Sequence, residues 1–299
     1  MKHFLKLLDY SKSEILDLLN LAARLKSDNQ LGVPHPVLKG KTLGMIFEKN
    51  STRTRVSFEV GMYQLGGAAL FLSGKELQIG RGEPISDTAR VLSRYLDGIM
   101  IRTYSHEGVE ELAAYSTIPI INGLTDAYHP CQVLADLFTI REYKGGFEGL
   151  KLCYIGDGNN MANSLIVGGL KMGMEVAIAC PPAYQPLQEA LDFAAGKPFT
   201  LTTDPMEAAV DADVIFTDVW ASMGQEDEVT QRKTAFQGFQ VNDALMSRAK
   251  PNCMVQHCLP AHRDEEITAE VFEQHAAEIF DEAENRMHVQ KAVMVTLMK

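Results

Sequence analysis

Short apolar runs alternate along the chain with segments whose apolar positions recur at helical spacing. In the first half Thr42–Phe47, Ala68–Leu72, Gly98–Ile101 and Ile118–Ile121 read as strands. In the second half Leu150–Ile155, Glu175–Cys180, Asp213–Thr217, Cys253–Gln256 and the shorter Glu278–Phe280 do the same. Helical patterns lie between them, among them Lys12–Leu25, Arg53–Leu65, Ile85–Leu96, Pro130–Tyr143 and Met161–Lys171. This alternation predicts an α/β fold with parallel sheets flanked by helices. Lys144-Gly145-Gly146-Phe147-Glu148-Gly149 interrupts it; glycines that end one helix and precede a new sheet predict a domain boundary there. The expected organisation is two Rossmann-like domains, residues 1–144 and 145–283, with a cleft between them. The helical stretch Glu284–Lys299 is expected to pack back on the first.

Composition narrows the class without changing this picture. The 299 residues are 46% hydrophobic and 22% charged, as in globular proteins. No run of eighteen uncharged apolar residues occurs, and Met1-Lys2-His3-Phe4-Leu5-Lys6 lacks the apolar core of a secretory signal, so neither a membrane span nor export is expected. Five cysteines at irregular spacing make no disulfide framework; Cys131, Cys153, Cys180, Cys253 and Cys258 read as reduced thiols in a cytoplasmic protein. A formal charge of −11 argues against a nucleic-acid surface, while a few arginines in one cleft can still attract a small anion.

Candidate chemistry begins at Asn50-Ser51-Thr52-Arg53-Thr54-Arg55, directly after the strand ending at Phe47. Hydroxyl residues at a strand-to-helix turn cap the helix, its free N–H groups and dipole favour an anion, and arginines add a two-pronged grip. The plainer alternative is a capped surface helix with two solvated arginines; the position at the carboxyl end of a strand favours a ligand. Downstream, His129-Pro130-Cys131-Gln132 places proline at a helix start, so His129 is at the cap and Gln132 in the first turn. Gly156-Asp157-Gly158-Asn159-Asn160 suggests a dinucleotide turn, but Met161 stands where the third glycine of that fingerprint belongs. His257-Cys258-Leu259-Pro260-Ala261-His262-Arg263 brings Cys and His close together, without the second cluster that a structural metal site needs. Neither a cofactor nor a metal is expected.

Ser-Thr-Arg-Thr-Arg after a strand resembles the carbamoyl phosphate signature of the aspartate and ornithine carbamoyltransferases, and the resemblance continues through most of the chain. It implies that Ser51, Thr52, Arg53 and Thr54 hold the phosphate. Arg102, His129 and Gln132 then grip the carbonyl, Cys258 and Leu259 meet the carbamoyl group and the attacking amine, and Arg286 makes a late contact to carbamoyl phosphate. Gln78 lies in a loop that in the family enters a neighbouring subunit's site, implying a homotrimer or a multiple of one; alone it reads as an ordinary polar loop residue. Asp218-Val219-Trp220-Ala221-Ser222-Met223-Gly224 is similar to the D-x-x-x-S-M-G loop of the ornithine branch. By that likeness Asn160, Asp218, Ser222 and Met223 hold L-ornithine, and the loop is expected to gate the site. The catalytic set expected from the resemblance is Arg102, His129, Gln132, Asp218 and Cys258, in the cleft between the domains. The choice between Asp218 and Cys258 as the group that handles the amine's proton stays open. Rival readings are a different amine acceptor (aspartate, putrescine or an acylated ornithine) and a silent sensor of either substrate. Asp264 stands where many relatives have glycine.

Overall fold

The computed structural model describes residues 2–78, 82–222, 224 and 226–299. It consists of two compact units, Met1–Ala135 with Asn285–Lys299, and Asp136–Glu284. In the first unit the elements run α1 (Lys12–Gln30), β1 (Thr42–Phe47), α2 (Thr52–Gln64), β2 (Ala68–Ser73), α3 (Ile85–Leu92), β3 (Gly98–Arg102), α4 (His106–Tyr115) and β4 (Ile120–Leu124). The chain passes into the second unit inside α5 (Pro130–Lys144), and Gly145, at φ 78°, ends that helix in the left-handed conformation glycine adopts without a steric penalty. There follow β5 (Lys151–Ile155), α6 (Asn160–Met172), β6 (Glu175–Ala179), α7 (Gln188–Ala194), β7 (Phe199–Thr202), α8 (Pro205–Ala208), β8 (Val214–Thr217), α9 (Val229–Ala235), α10 (Asp243–Met246), β9 (Met254–His257) and α11 (Ala269–Gln274). The last helix, α12 (Ala276–Met298), returns the chain to the first unit.

Each unit is built on one parallel sheet, four strands in the order β2-β1-β3-β4 and five in the order β7-β6-β5-β8-β9. The strands β3 and β4 are buried at every position, and β1, β5 and β6 at all but the first, which is why they read as continuous apolar runs rather than alternating ones. Ile46, Ile99, Ile101, Val109, Leu112 and Ile120 form a core in the first unit. Cys153, Ile155, Ile215, Phe236, Val255 and Phe272 belong to one in the second. All five cysteines are buried and unbridged. Among the described residues, no helix is long and apolar enough to cross a membrane.

Two elements differ from the expectation. Glu278–Phe280, expected as a short strand, is the first part of α12: the Ile279 N–H donates to His275 O at 3.2 Å, a helical bond. The consecutive apolar pair is divided by the helix, Ile279 being fully buried and Phe280 55% exposed. Conversely, β7 was not expected. It is a half-exposed edge strand, and too few of its side chains enter the core to mark an apolar run.

The strand orders fix where ligands can be met. Successive strands proceed outward from β1 to β2 and then restart on β1's other side with β3; β5, β6 and β7 are followed in the same way by β8 beside β5. Each restart is a topological switch point, outside whose carboxyl ends α/β folds bind ligands. The turn at residues 48–51 and Arg102 flank the first such point, and residues 156–160 and Asp218 flank the second.

Gly158 illustrates how tightly the second is built. A Cβ there would lie 2.3 Å from Gln185 C, 2.4 Å from Pro186 N and 2.4 Å from Tyr184 O, all backbone atoms that cannot rotate away. The Gly158 N–H also donates to Tyr184 O at 2.9 Å. Gly158→Ala is therefore expected to cost about 3 kcal/mol by overpacking, read as a lower urea midpoint. An unchanged midpoint would contradict the close approach.

Candidate active site

In the first unit the turn after β1 leads directly into α2. Ser51 has extended backbone angles (φ −162°, ψ 116°), and its Oγ accepts a hydrogen bond from the Thr54 N–H at 3.2 Å, making it the N-cap. Thr54 is fully buried and takes part in a chain of polar contacts: Ser51 Oγ donates to Thr54 Oγ1 at 3.1 Å, and Arg286 Nη2 donates to the same oxygen at 3.0 Å. Arg286 Nη1 donates to Gln132 Oε1 at 2.9 Å. One guanidinium from α12 thus ties the cap of α2 to the first turn of α5. Arg53 is half-buried and Thr52 exposed. Arg55 turns to the surface, its Nε 3.0 Å from Glu59 Oε1 and its guanidinium 3.9 Å from the Phe71 ring centroid.

Arg102, the last residue of β3, is paired in register with Phe47, and its carbonyl accepts from the N–H groups of Glu48 at 2.9 Å and Lys49 at 3.3 Å. The end of β3 therefore holds the start of the β1–α2 turn. Its side chain is 6% exposed. His129 caps α5, its carbonyl accepting from the Val133 N–H at 3.3 Å. Burial, followed by the charges of Arg286 and Arg102, holds its imidazole well below the usual histidine range. A neutral ring, a buried amide at Gln132 and two guanidiniums thus occupy one polar region of this unit. Gln78 is exposed, on the loop after β2, and Ile79–Arg81 lie outside the described residues.

In the second unit, parallel register creates the key contact. Thr217 pairs with His257, so the residues that follow, Asp218 and Cys258, leave neighbouring strands side by side. The Cys258 thiol donates to Asp218 Oδ1 at 3.0 Å, the Val219 N–H to the same oxygen at 2.8 Å, and Asn159 Nδ2 to Asp218 Oδ2 at 3.2 Å. Burial, and then the Asp218 charge, push the Cys258 thiol well above the ordinary cysteine range, so it is an S–H donor and not a thiolate. Asp218, Cys258 and His257 offer ligand-type atoms within 4.8 Å of one another. The Cys258 S–H is given to Asp218, and both His257 ring nitrogens already have partners.

Asn160 begins α6 and is half-buried. Ser222 is half-buried beside a cavity of ≈ 330 Å³ that Trp220, Arg232, His262 and Glu265 also line. Met223 lies outside the described residues. Leu259 has φ 56° and precedes a cis peptide to Pro260.

Two side chains that the sequence did not single out shape this region. Asn159, the N-cap of α6, links that helix to Asp218, its Oδ1 accepting from the Met161 N–H at 2.9 Å. Arg232 is 6% exposed and reaches across 75 residues to Asp157 Oδ2 at 2.6 Å. The same nitrogen donates to Trp220 O at 3.1 Å, which anchors the start of the 218–224 loop. Burial pushes the Asp157 carboxyl up to about 6 even with this guanidinium against it. Opposite charge could have hinted at the Arg232–Asp157 pair alone, and nothing in the spacing of either pair does.

Two consecutive α/β units, an anion-ready turn in one and a carboxylate–thiol pair in the other, are the parts of a two-substrate transferase. Comparison with known proteins specifies which. Residues 2–142 match the carbamoyl-P binding domain of the aspartate/ornithine carbamoyltransferases, and residues 148–297 match their Asp/Orn binding domain. An ornithine carbamoyltransferase of Syntrophotalea carbinolica is 60% identical over 299 residues, covering 99% of each chain. One from Geobacter sulfurreducens is 56% identical, with both chains covered completely. The solved structure of the ornithine carbamoyltransferase from Pyrococcus furiosus superimposes with a TM-score of 0.95 at 52% identity, covering 99% of this chain and 97% of that one. The chain belongs to the aspartate/ornithine carbamoyltransferase family.

Proposed function

We propose that this chain transfers the carbamoyl group of carbamoyl phosphate to the δ-amine of L-ornithine, giving L-citrulline and phosphate. What carries the reading is identity of 52–60% over essentially the whole chain to proteins named for that reaction, with Asp218-Val219-Trp220-Ala221-Ser222-Met223-Gly224 intact.

The first unit binds the electrophile. The phosphate rests on the N–H groups and hydroxyls of Ser51, Thr52, Arg53 and Thr54, where the helix dipole favours negative charge. Arg102, His129 and Gln132 receive the carbonyl oxygen, and Arg286, bonded to both Thr54 and Gln132, keeps the two subsites in register. As the amine attacks, charge accumulates on that oxygen, and these preset donors stabilise it. The neutral His129 ring donates without adding a third cation to a region that already holds Arg102 and Arg286.

The second unit binds the nucleophile. Asp218 takes the δ-amine, with Asn160, Ser222 and Met223 holding the amino-acid end, and Cys258 and Leu259 border the reacting centre. With the Cys258 thiol protonated, Asp218 is the side chain placed to accept the amine's proton. The tetrahedral intermediate collapses and phosphate leaves, with no covalent enzyme intermediate.

The amine must be neutral to attack. For a lysine-like pKa of about 10.4, neutralising it at pH 7.4 costs roughly 4 kcal/mol. His129 is held deprotonated well below its usual range, so its own titration falls outside the interval from pH 6 to pH 8. Turnover at subsaturating ornithine is expected to increase through that interval; a flat profile would contradict rate limitation by amine ionisation.

The enzyme is further proposed to act in the cytoplasm, in arginine metabolism, as a homotrimer or a multiple of one in which Gln78 enters a neighbouring site. Support for association comes from exposed apolar side chains at Val56, Val60 and Tyr63, spaced along α2, and at Leu70 and Phe71 on the edge strand β2. The decisive assay offers carbamoyl phosphate with ornithine, putrescine, aspartate or an acylated ornithine and follows the carbamoylated product. Citrulline should form at least a hundredfold faster than any other product. Preference for another amine, or substrate binding without turnover, would overturn the reading.

A further inference from the structure

His257 and Glu266 are both 0% exposed, and His257 Nε2 lies 3.0 Å from Glu266 Oε1. The other ring nitrogen, Nδ1, accepts the Leu259 N–H at 2.9 Å. An imidazole nitrogen that accepts carries no proton, so the proton is on Nε2 and is donated to Glu266. Glu266 Oε1 also accepts the His262 N–H at 2.6 Å. One carboxyl oxygen therefore grips both ends of the segment from His257 to His262. Glu266 is itself anchored, its carbonyl accepting from the Val241 N–H at 2.8 Å.

The segment needs such a grip. Leu259 is a branched residue at φ 56°, a left-handed conformation that a side chain disfavours sterically. A backbone in that region persists only when its surroundings over-determine it. The Leu259 N–H bond to His257 is one such restraint, and it exists only in the tautomer that Glu266 selects. Cys258 lies between the two bonded residues, and its thiol reaches Asp218 at 3.0 Å.

We infer that Glu266 is a positioning residue for the transfer reaction. Its buried carboxyl fixes the His257 tautomer, which fixes the Leu259 backbone and presents the Cys258 thiol to Asp218. This rests on the reading of Asp218 and Cys258 as the amine-facing pair.

The test uses the full-length protein and the variants Glu266→Ala and Glu266→Gln. Loss of the carboxyl in E266A is expected to lower kcat/KM for ornithine about a hundredfold while KM for carbamoyl phosphate changes less than about twofold. A glutamine oxygen can accept the same two hydrogens, so E266Q should recover to within about fivefold of the unmodified chain. Nitrogen-15 NMR, with His257 assigned through His257→Asn, should show the Nε2–H tautomer in the unmodified protein and a mixture in E266A. An unchanged ornithine kcat/KM in E266A contradicts the inference, as do equal losses toward both substrates in E266A and E266Q. So does an Nδ1–H tautomer in the unmodified protein, a readout that decides the matter even where E266A fails to fold. The tautomer is read without substrate. Its failure is therefore distinct from failure of the ornithine reading, which appears as absence of citrulline from the unmodified enzyme.

Discussion

Arg102→Ala is expected to lower kcat at least a hundredfold, with ornithine KM changed little. The guanidinium sits at the carboxyl end of β3, 6% exposed, in a region that also holds the neutral His129 and the buried Gln132. In the proposed reaction it meets a carbonyl oxygen that becomes charged only as the amine attacks. A donor of that kind contributes mainly in the transition state, and losing one costs about 3–4 kcal/mol. Arg102→Lys should recover only part of the loss, because an ammonium keeps the charge but not the planar fork of donors. The Arg102 carbonyl, which holds Glu48 and Lys49, is untouched by either substitution, so the turn that begins α2 should survive. Stopped-flow or steady-state citrulline formation measures the effect. Turnover within threefold of the unmodified chain would remove Arg102 from the reaction.

Asp218→Asn acts on the other substrate, with an expected loss of about a thousandfold in kcat/KM for ornithine, roughly 4 kcal/mol. Three donors converge on this carboxylate: the Cys258 thiol, the Val219 N–H and the Asn159 amide. An asparagine presents two N–H bonds where a carboxylate presents only acceptors, so one of these donors must face another donor. It also removes the one negative charge proposed to hold a cationic amine and take its proton. Binding of a carbamoyl phosphate analogue should be within about threefold of normal, because Asp218 belongs to the second unit's substrate set. Equal weakening of both substrates would instead indicate that Asp218 serves the fold.

Much of the architecture is legible in the residues because fully buried parallel strands leave continuous apolar runs; β1, β3, β5, β6, β8 and β9 all do. The exposed edge strand β2 is also legible, because its residues stay apolar; the signal fails where a partly buried strand carries polar residues or the segment is short. Phe199–Thr202 is half-exposed at a sheet edge, and Glu278–Phe280 is too brief to distinguish a strand from one turn of helix. The motif residues were proposed through their resemblance, and the partners that the structure gives them were not. Asn159 and Asp218 are 59 residues apart and Asp157 and Arg232 are 75, so no local spacing joins them. Glu266 is only nine residues from His257, but its neighbour Glu265 is chemically identical, and burial alone distinguishes the two. Asp264 shows the reverse case. It was expected to stand at a position suited to glycine, and its backbone has φ 68°. Aspartate tolerates this left-handed region better than most residues, and its Oδ1 accepts the Ala269 N–H at 3.1 Å.

The central claim is a division of labour: the N-terminal turn of α2 holds the phosphate end of the donor, and the Asp218–Cys258 pair holds the amine. A crystal structure with a bisubstrate mimic, a phosphonate joined through a carbonyl to ornithine, tests it most directly. The phosphonate oxygens should accept from the N–H groups of residues 52–54 and from Arg53, with the ornithine portion at Asp218. A phosphonate bound anywhere else, or an ornithine end that leaves Asp218 untouched, would contradict the account.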